Sequence, residues 1–201
     1  MTRDTIWEAK GYVFDMDGTL LTLPVDWTAA RARLAELSGK SDFPRTFETI
    51  SEVVKQRPDL RQPLLGALDD FELRVEAQAR LYEGSKEVLE LLARRAKLAL
   101  VTMQGKKVRD LILSRFELEG LFQVEISRED SFERAEQLVI AASGLGLRMR
   151  ELVFFGDRLH DLNSAADVGM GFVLMGERAG ITARSFSNMN ALLANLRRFG
   201  S

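Results

Sequence analysis

The sequence contains no cysteine. Disulfides, thiolate nucleophiles and zinc–thiolate centres are therefore excluded. Histidine is nearly as scarce, with His160 the only one. No stretch approaches the ~18 consecutive apolar residues that a membrane helix requires. The opening residues MTRDTIWEAKGYVF carry charges where a signal peptide needs an apolar run. These absences predict a soluble, cytoplasmic protein. Neither sign of charge dominates: 28 Lys and Arg face 30 Asp and Glu, for a net charge of -2. A nucleic-acid binder usually shows a concentrated basic face. The pair Arg197-Arg198 is too small for that and reads as the dipole-matching end of a helix. No nucleic-acid partner and no membrane partner are expected.

What is present suffices for a packed core. Hydrophobic residues make up 46% of 201 residues, which suits one domain with a modest insertion. Short apolar runs alternate with helix-period stretches. Tyr12–Phe14, Leu98–Val101, Phe122–Ile126, Leu152–Phe155 and Gly171–Met175 read as strands. Helical spacing recurs around Val88–Leu92, Val108–Arg115, Leu138–Ala142 and Leu159–Val168. This alternation predicts an α/β fold, a doubly wound (Rossmann-like) parallel sheet with helices on both faces. Asp15, Thr102 and Asp157 each follow an apolar run. In such a sheet the carboxyl ends of the strands form the ligand crevice, so the three are expected to converge there.

One region breaks the alternation. Residues 24–83 read as helices only: Trp27–Leu37 capped by Asp26, Thr46–Gln56, and Gln62–Tyr82, with Pro44, Pro58 and Pro63 at the joins. The expected organisation is a catalytic core of residues 1–23 and 84–201 with a small all-helical cap, residues 24–83, inserted after the first strand. Its place in the chain sets the cap over the Asp15 crevice as a lid. Trp27, Phe43, Arg45 and Phe47 are candidates to shape the pocket.

Chemistry concentrates in Val13-Phe14-Asp15-Met16-Asp17-Gly18-Thr19-Leu20-Leu21. Two carboxylates two positions apart leave a strand on the same side. Gly18 permits a sharp turn that brings backbone N–H groups toward an anion. A calcium loop needs Glu at its twelfth position; counted from Asp15 that position is Asp26, and few oxygens lie between. Gly156-Asp157-Arg158-Leu159-His160-Asp161 forms a second cluster, with Asp157 and Asp161 four apart on one helical face.

Together these segments resemble the haloacid dehalogenase-like superfamily. Asp15, Asp17, Gly18 and Thr19 match its DxDGT motif, and Gly156, Asp157 and Asp161 match its GDxxxD motif. The helical cap resembles the phosphoglycolate phosphatase-like branch. The resemblance implies a Mg²⁺-dependent phosphatase that hydrolyses a small phosphate monoester through an aspartyl-phosphate. Asp15 is the implied nucleophile and Asp17 the acid/base. The implied metal ligands are the carboxylates of Asp15 and Asp157 and the backbone carbonyl of Asp17, with Asp161 in support. Thr102 and Gly18 are implied in phosphate binding. Asp17 favours phosphate esters over halides, because a departing halide needs no proton. A small phosphorylated metabolite is the expected partner. A phosphomutase, or a non-catalytic phosphate-ligand binding protein on this fold, are the alternatives.

The sequence departs from the pattern in one respect. The family's lysine, expected before the helix that leads to the GDxxxD strand, has no counterpart in Ser127–Gln137. A cation is needed there to neutralise the nucleophile and the phosphoryl oxygens. Arg134 is the nearest candidate, with Lys106, Lys107 and Arg128 as alternatives. His160 falls where the family is variable and reads as a surface residue at a helix start.

Overall fold

The computed structural model describes residues 6–178 and 180–199. Its first strand, β1 (Gly11–Phe14), is central and fully buried. It pairs in parallel with β4 (Lys97–Val101) on one side and β6 (Leu152–Gly156) on the other. Beyond β4 lies β5 (Val124–Ile126); beyond β6 lie β7 (Gly171–Met175) and the two-residue β8 (Ser185–Phe186). The sheet order is β5-β4-β1-β6-β7-β8, all parallel. The strand order reverses around β1, so the crevice opens where β4, β1 and β6 end.

Alternation along the strands builds two cores. Tyr12 and Phe14, with Leu98, Leu100, Val153 and Phe155, face the side covered by α4 (Ser85–Ala93), α5 (Lys106–Arg115) and α8 (Met189–Phe199). The Phe14 and Phe155 rings stack there at 4.7 Å. Val13, Ala99, Val101, Leu152 and Phe154 face α6 (Arg134–Leu145) and α7 (Leu159–Val168). Strands buried on both faces are the expected form of a parallel sheet covered by helices. Arg197 and Arg198 occupy the last turn of α8, where positive charge complements the helix dipole.

The fifth strand is shorter than its apolar run predicts. It begins at Val124, because the Gln123 side chain accepts the Leu98 N–H at 2.6 Å in place of a backbone partner.

The segment after β1 forms α1 (Trp27–Ser38), α2 (Thr46–Gln56) and α3 (Arg61–Val75). The Asp26 carboxylate caps α1, accepting from Thr28 N and Ala29 N. Ala30, Leu34, Phe43, Ile50, Leu64 and Leu68 close a separate apolar cluster, which Phe132 of the main body joins. Two expectations fail here. The last helix stops at Val75 rather than Tyr82, and the segment is not purely helical. Arg80–Leu81 (β3) pairs antiparallel with Leu21–Thr22 (β2) to form the neck of the insert. Buried Ala79 and this pairing extend the chain, overriding its helical spacing. Among the described residues, no helix is long and apolar enough to cross a membrane.

Candidate active site

The three sheet-end residues converge at the crevice, but not on equal terms. Asp15 is one residue past β1, held by its N–H donating to Phe155 O at 2.9 Å. Asp157 is one residue past β6 and is buried. Thr102 is one residue past β4 and fully buried, but it does not line the cavity. Its hydroxyl donates to Gln104 Oε1 and accepts from Gln104 N, so Gln104 folds over it and takes its place on the wall.

Of the four candidate cations, Arg134 is the one that meets Asp15. It lies 119 residues from Asp15 in sequence, yet its Nη2 donates to Asp15 Oδ1 at 2.8 Å. Its Nε is 3.1 Å from Asp161 Oδ1 as an ion pair, with the N–H off that line. Its Nη1 donates to Gln137 Oε1 at 3.0 Å, and the guanidinium sits 5.8 Å from the Phe154 ring centre. The alternatives stand elsewhere. Lys106 pairs with Asp110, Lys107 is exposed, and Arg128 is turned toward the helical insert. Asp161 thus orients the cation. Its other oxygen accepts the Arg158 N–H at 3.2 Å.

Burial pushes the Asp15 carboxyl up to about 8; Arg134 opposes that shift, and Asp161, Asp157 and Asp17 add to it. Burial also raises Asp17; the Leu23 N–H and Arg158 oppose it, while Asp157 adds to it. Burial works against the Arg134 charge, but Asp15 and Asp161 outweigh it and hold that group above its ordinary value. Clustered shifts of this kind recur at functional sites and also in buried ion-pair networks.

The same residues can hold a metal. Asp15, Asp157 and Asp161 each bring a carboxylate oxygen within 4.8 Å of the others. Asp157 Oδ1 is buried and accepts no hydrogen bond. Its charged neighbour is Arg158 Nε at 3.7 Å, and an all-oxygen donor set with a carboxylate oxygen free of hydrogen bonds suits a hard divalent cation. Sequence reasoning missed Arg178, whose Nη2 donates to Asp157 Oδ2 at 2.7 Å and whose Nε donates to Asp157 O at 3.1 Å. Its one signal is its place just beyond the end of β7. Gln137 was also missed, although it lies one turn beyond Arg134 on the same helix, where side chains meet.

Gly18 plays a different part from the one expected. Its N–H donates to Leu21 O at 2.8 Å and is not free for an anion. The residue supplies room: at φ 87°, an added Cβ would lie 2.6 Å from the Asp157 carboxyl group. Gly18→Ala should therefore cost about 1–2 kcal/mol in backbone strain alone and lower Tm by roughly 2–8 °C. A Tm equal to the parent's would show that the turn relaxes.

A cavity of about 300 Å³ joins these groups to the insert. Asp15, Asp17, Gln104, Arg134 and Asp161 form its floor. Trp27, Arg31, Arg45 and Phe47 of the insert form its roof, with the Trp27 and Phe47 rings edge to face at 6.0 Å. Phe43 does not line it and instead fills the insert's own core. His160 is exposed at the wall beside Arg158.

Residues 12–175 match the family model of haloacid dehalogenase-like hydrolases. A haloacid dehalogenase-like hydrolase domain-containing protein of Arabidopsis thaliana is 26% identical over 168 residues, covering 80% of this chain and 68% of that protein. The N-acetylmuramic acid 6-phosphate phosphatase of Pseudomonas aeruginosa is 24% identical over 177 residues, covering 80% of this chain and 78% of that enzyme. The crystal structure of a hydrolase from Pseudomonas syringae superposes with a TM-score of 0.74 at 19% identity, over 96% of this chain and 100% of the other. The match across nearly the whole sheet, with both aspartate motifs at its carboxyl edge and a helical insert after β1, makes this chain a member of the haloacid dehalogenase-like hydrolases.

Proposed function

We propose that this hydrolase is a Mg²⁺-dependent phosphatase acting on a small phosphate monoester, with Asp15 as nucleophile and Asp17 as acid and base. The observation that carries the reading is the Arg134 guanidinium 2.8 Å from Asp15, in a cavity that Asp17 also lines. Arg134 supplies the charge whose absence would favour a non-catalytic binding protein. The named phosphatase among the relatives supports the same reaction class.

An Asp15 carboxylate oxygen attacks phosphorus, and the bond to the leaving oxygen breaks as an aspartyl-phosphate forms. Asp17 gives that oxygen its proton. Asp17 then takes a proton from water, whose oxygen attacks phosphorus, freeing inorganic phosphate and restoring Asp15. The raised Asp17 pKa suits a group that begins as the acid. Arg134 offsets charge on Asp15 and the phosphoryl oxygens throughout. Asp15, Asp157 and the Asp17 backbone carbonyl would hold Mg²⁺, which supplies the positive charge that lets an anionic phosphoryl group approach several carboxylates. The insert's roof excludes water and meets the leaving group.

The test is phosphate release from an aryl phosphate and an alkyl phosphate, with and without Mg²⁺. Mg²⁺-dependent release is expected. Isomerised product without free phosphate would identify a mutase. Asp17→Asn should lower kcat about 10²–10⁴-fold on the alkyl ester. The loss should be smaller on the aryl ester, whose leaving group needs less help from an acid. Equal losses on both would remove Asp17 from the proton-donor role.

A further inference from the structure

The charged cluster between the insert and the main body is separate from the reacting groups. Arg128 is entirely buried at the end of β5. Its Nη1 donates to Glu72 Oε1 at 2.5 Å and to Met103 O at 3.0 Å, and its Nη2 pairs with Asp69. Glu72 is itself buried in α3, and its second oxygen accepts the Gly105 N–H at 3.0 Å. Arg128 and Glu72 therefore grip the backbone on both sides of Gln104, which covers Thr102 and lines the catalytic cavity. Gly105 has no space for a side chain, because a Cβ there would run into Asp69 and Arg128. A buried ion network is weak as a stabilising device, since apolar residues of similar volume often do as well or better. Its position against the Thr102–Gly105 loop gives it another use.

We infer that Arg128 is a positioning residue: through Glu72 and Asp69 of the insert it holds the Thr102–Gly105 loop in its working shape. Docking of the insert and shaping of the loop are then one event. The Glu72 carboxylate, which α3 supplies, accepts the Gly105 N–H, and Asp69 and Glu72 together hold the Arg128 guanidinium that donates to Met103 O, so an insert swung away from the body leaves the Gly105 N–H without this acceptor and Arg128 without its carboxylates. The inference rests on the phosphatase reading for the loop's role in turnover.

Arg128→Met alone strands Glu72 as a buried unpaired charge and is expected to unfold the protein. The informative variant is Arg128→Met with Glu72→Leu, which replaces the pair by apolar side chains. In the full chain, this double variant should melt within a few degrees of the parent. Its kcat on an aryl phosphate should fall about 10–100-fold, the range for a small misplacement of a catalytic group, with KM changed less than about threefold. Hydrogen exchange at Gly105 N–H should accelerate at least about tenfold, with exchange at Val13 and Phe154 unchanged. Arg128→Lys should fall between parent and double variant, because one ammonium cannot serve two carboxylates and a carbonyl in Arg's forked geometry. Parental kcat in the double variant, or unchanged exchange at Gly105, overturns the inference. If the parent itself releases no phosphate, the phosphatase reading fails, and exchange at Gly105 still decides whether Arg128 and Glu72 hold the loop.

Discussion

Asp15→Asn is expected to abolish turnover, lowering kcat by at least about 10⁴-fold, the scale of losing a covalent nucleophile, while leaving the protein folded. The amide is nearly isosteric and can still meet Arg134, but it cannot form the acyl phosphate. Stability should move the opposite way. Folding buries the Asp15 carboxyl and raises its pKa from 3.8 to about 8. Between those values the folded protein keeps a proton that the unfolded chain has released. Asp15 therefore contributes stability that is complete below about pH 4 and lost as pH rises through about 8. Asn has no such titration. In EDTA, the variant's Tm should decline less than the parent's between pH 5 and pH 8, and should exceed it at pH 8. A steeper decline in the variant would mean that the Asp15 charge is better matched by Arg134 than its burial implies. Residual Mg²⁺-dependent turnover above about 1% would remove Asp15 from the nucleophile's role. Activity lost while stability rises is the usual mark of a site held against its own electrostatics.

Arg134→Ala should have the second-largest effect, lowering kcat about 10²–10³-fold through lost charge stabilisation in a water-poor site. Inhibition by inorganic phosphate should weaken with it. Here stability also falls. Asp15 and Asp161 are buried, and without Arg134 they face each other unpaired, which costs about 3–5 kcal/mol for a broken buried ion pair. The Asp15 pKa should rise further. The loss should be larger at pH 8 than at pH 5, where protonation relieves the repulsion. Arg134→Lys keeps the charge, although an ammonium cannot reach Asp15, Asp161 and Gln137 together. It should retain most of the stability and a measurable fraction of turnover. Parental kcat in Arg134→Ala, with phosphate inhibition unchanged, would show that the cation serves the fold and not the reaction.

Part of this site can be read without a structure because its signals are local. Asp15-x-Asp17-Gly18 and Gly156-Asp157 each sit where an apolar run ends, so the strand and its polar tip are adjacent in sequence. Asp26 announces the start of α1 in the same way, through a side chain that bonds the next turn. Other features escape because their causes lie far off in the chain. Helical spacing continues through Ala79–Tyr82, yet Leu81 pairs with Leu21 across the neck, and a distant strand wins over local preference. Thr102 looks open from its position, but Gln104 covers it. Gly18 looks like an anion-binding turn, while its N–H is committed to Leu21 and its missing Cβ makes room for Asp157. Arg178 carries no motif at all, because only the approach of the segment after β7 to the end of β6 brings it to Asp157.

By itself the sequence determined the alternating α/β fold, the helical insert and the two aspartate motifs, because periodicity and strand-end chemistry act over a few residues. Tertiary structure alone decided which of several cations faces Asp15. Arg134, Arg128, Lys106 and Lys107 carry the same charge and lie within 29 positions of one another. Packing of α6 against the sheet turns Arg134 onto Asp15, while the buried carboxylates of α3 draw Arg128 away to the insert. Charge reaches a site through space, and only the folded chain sets that distance.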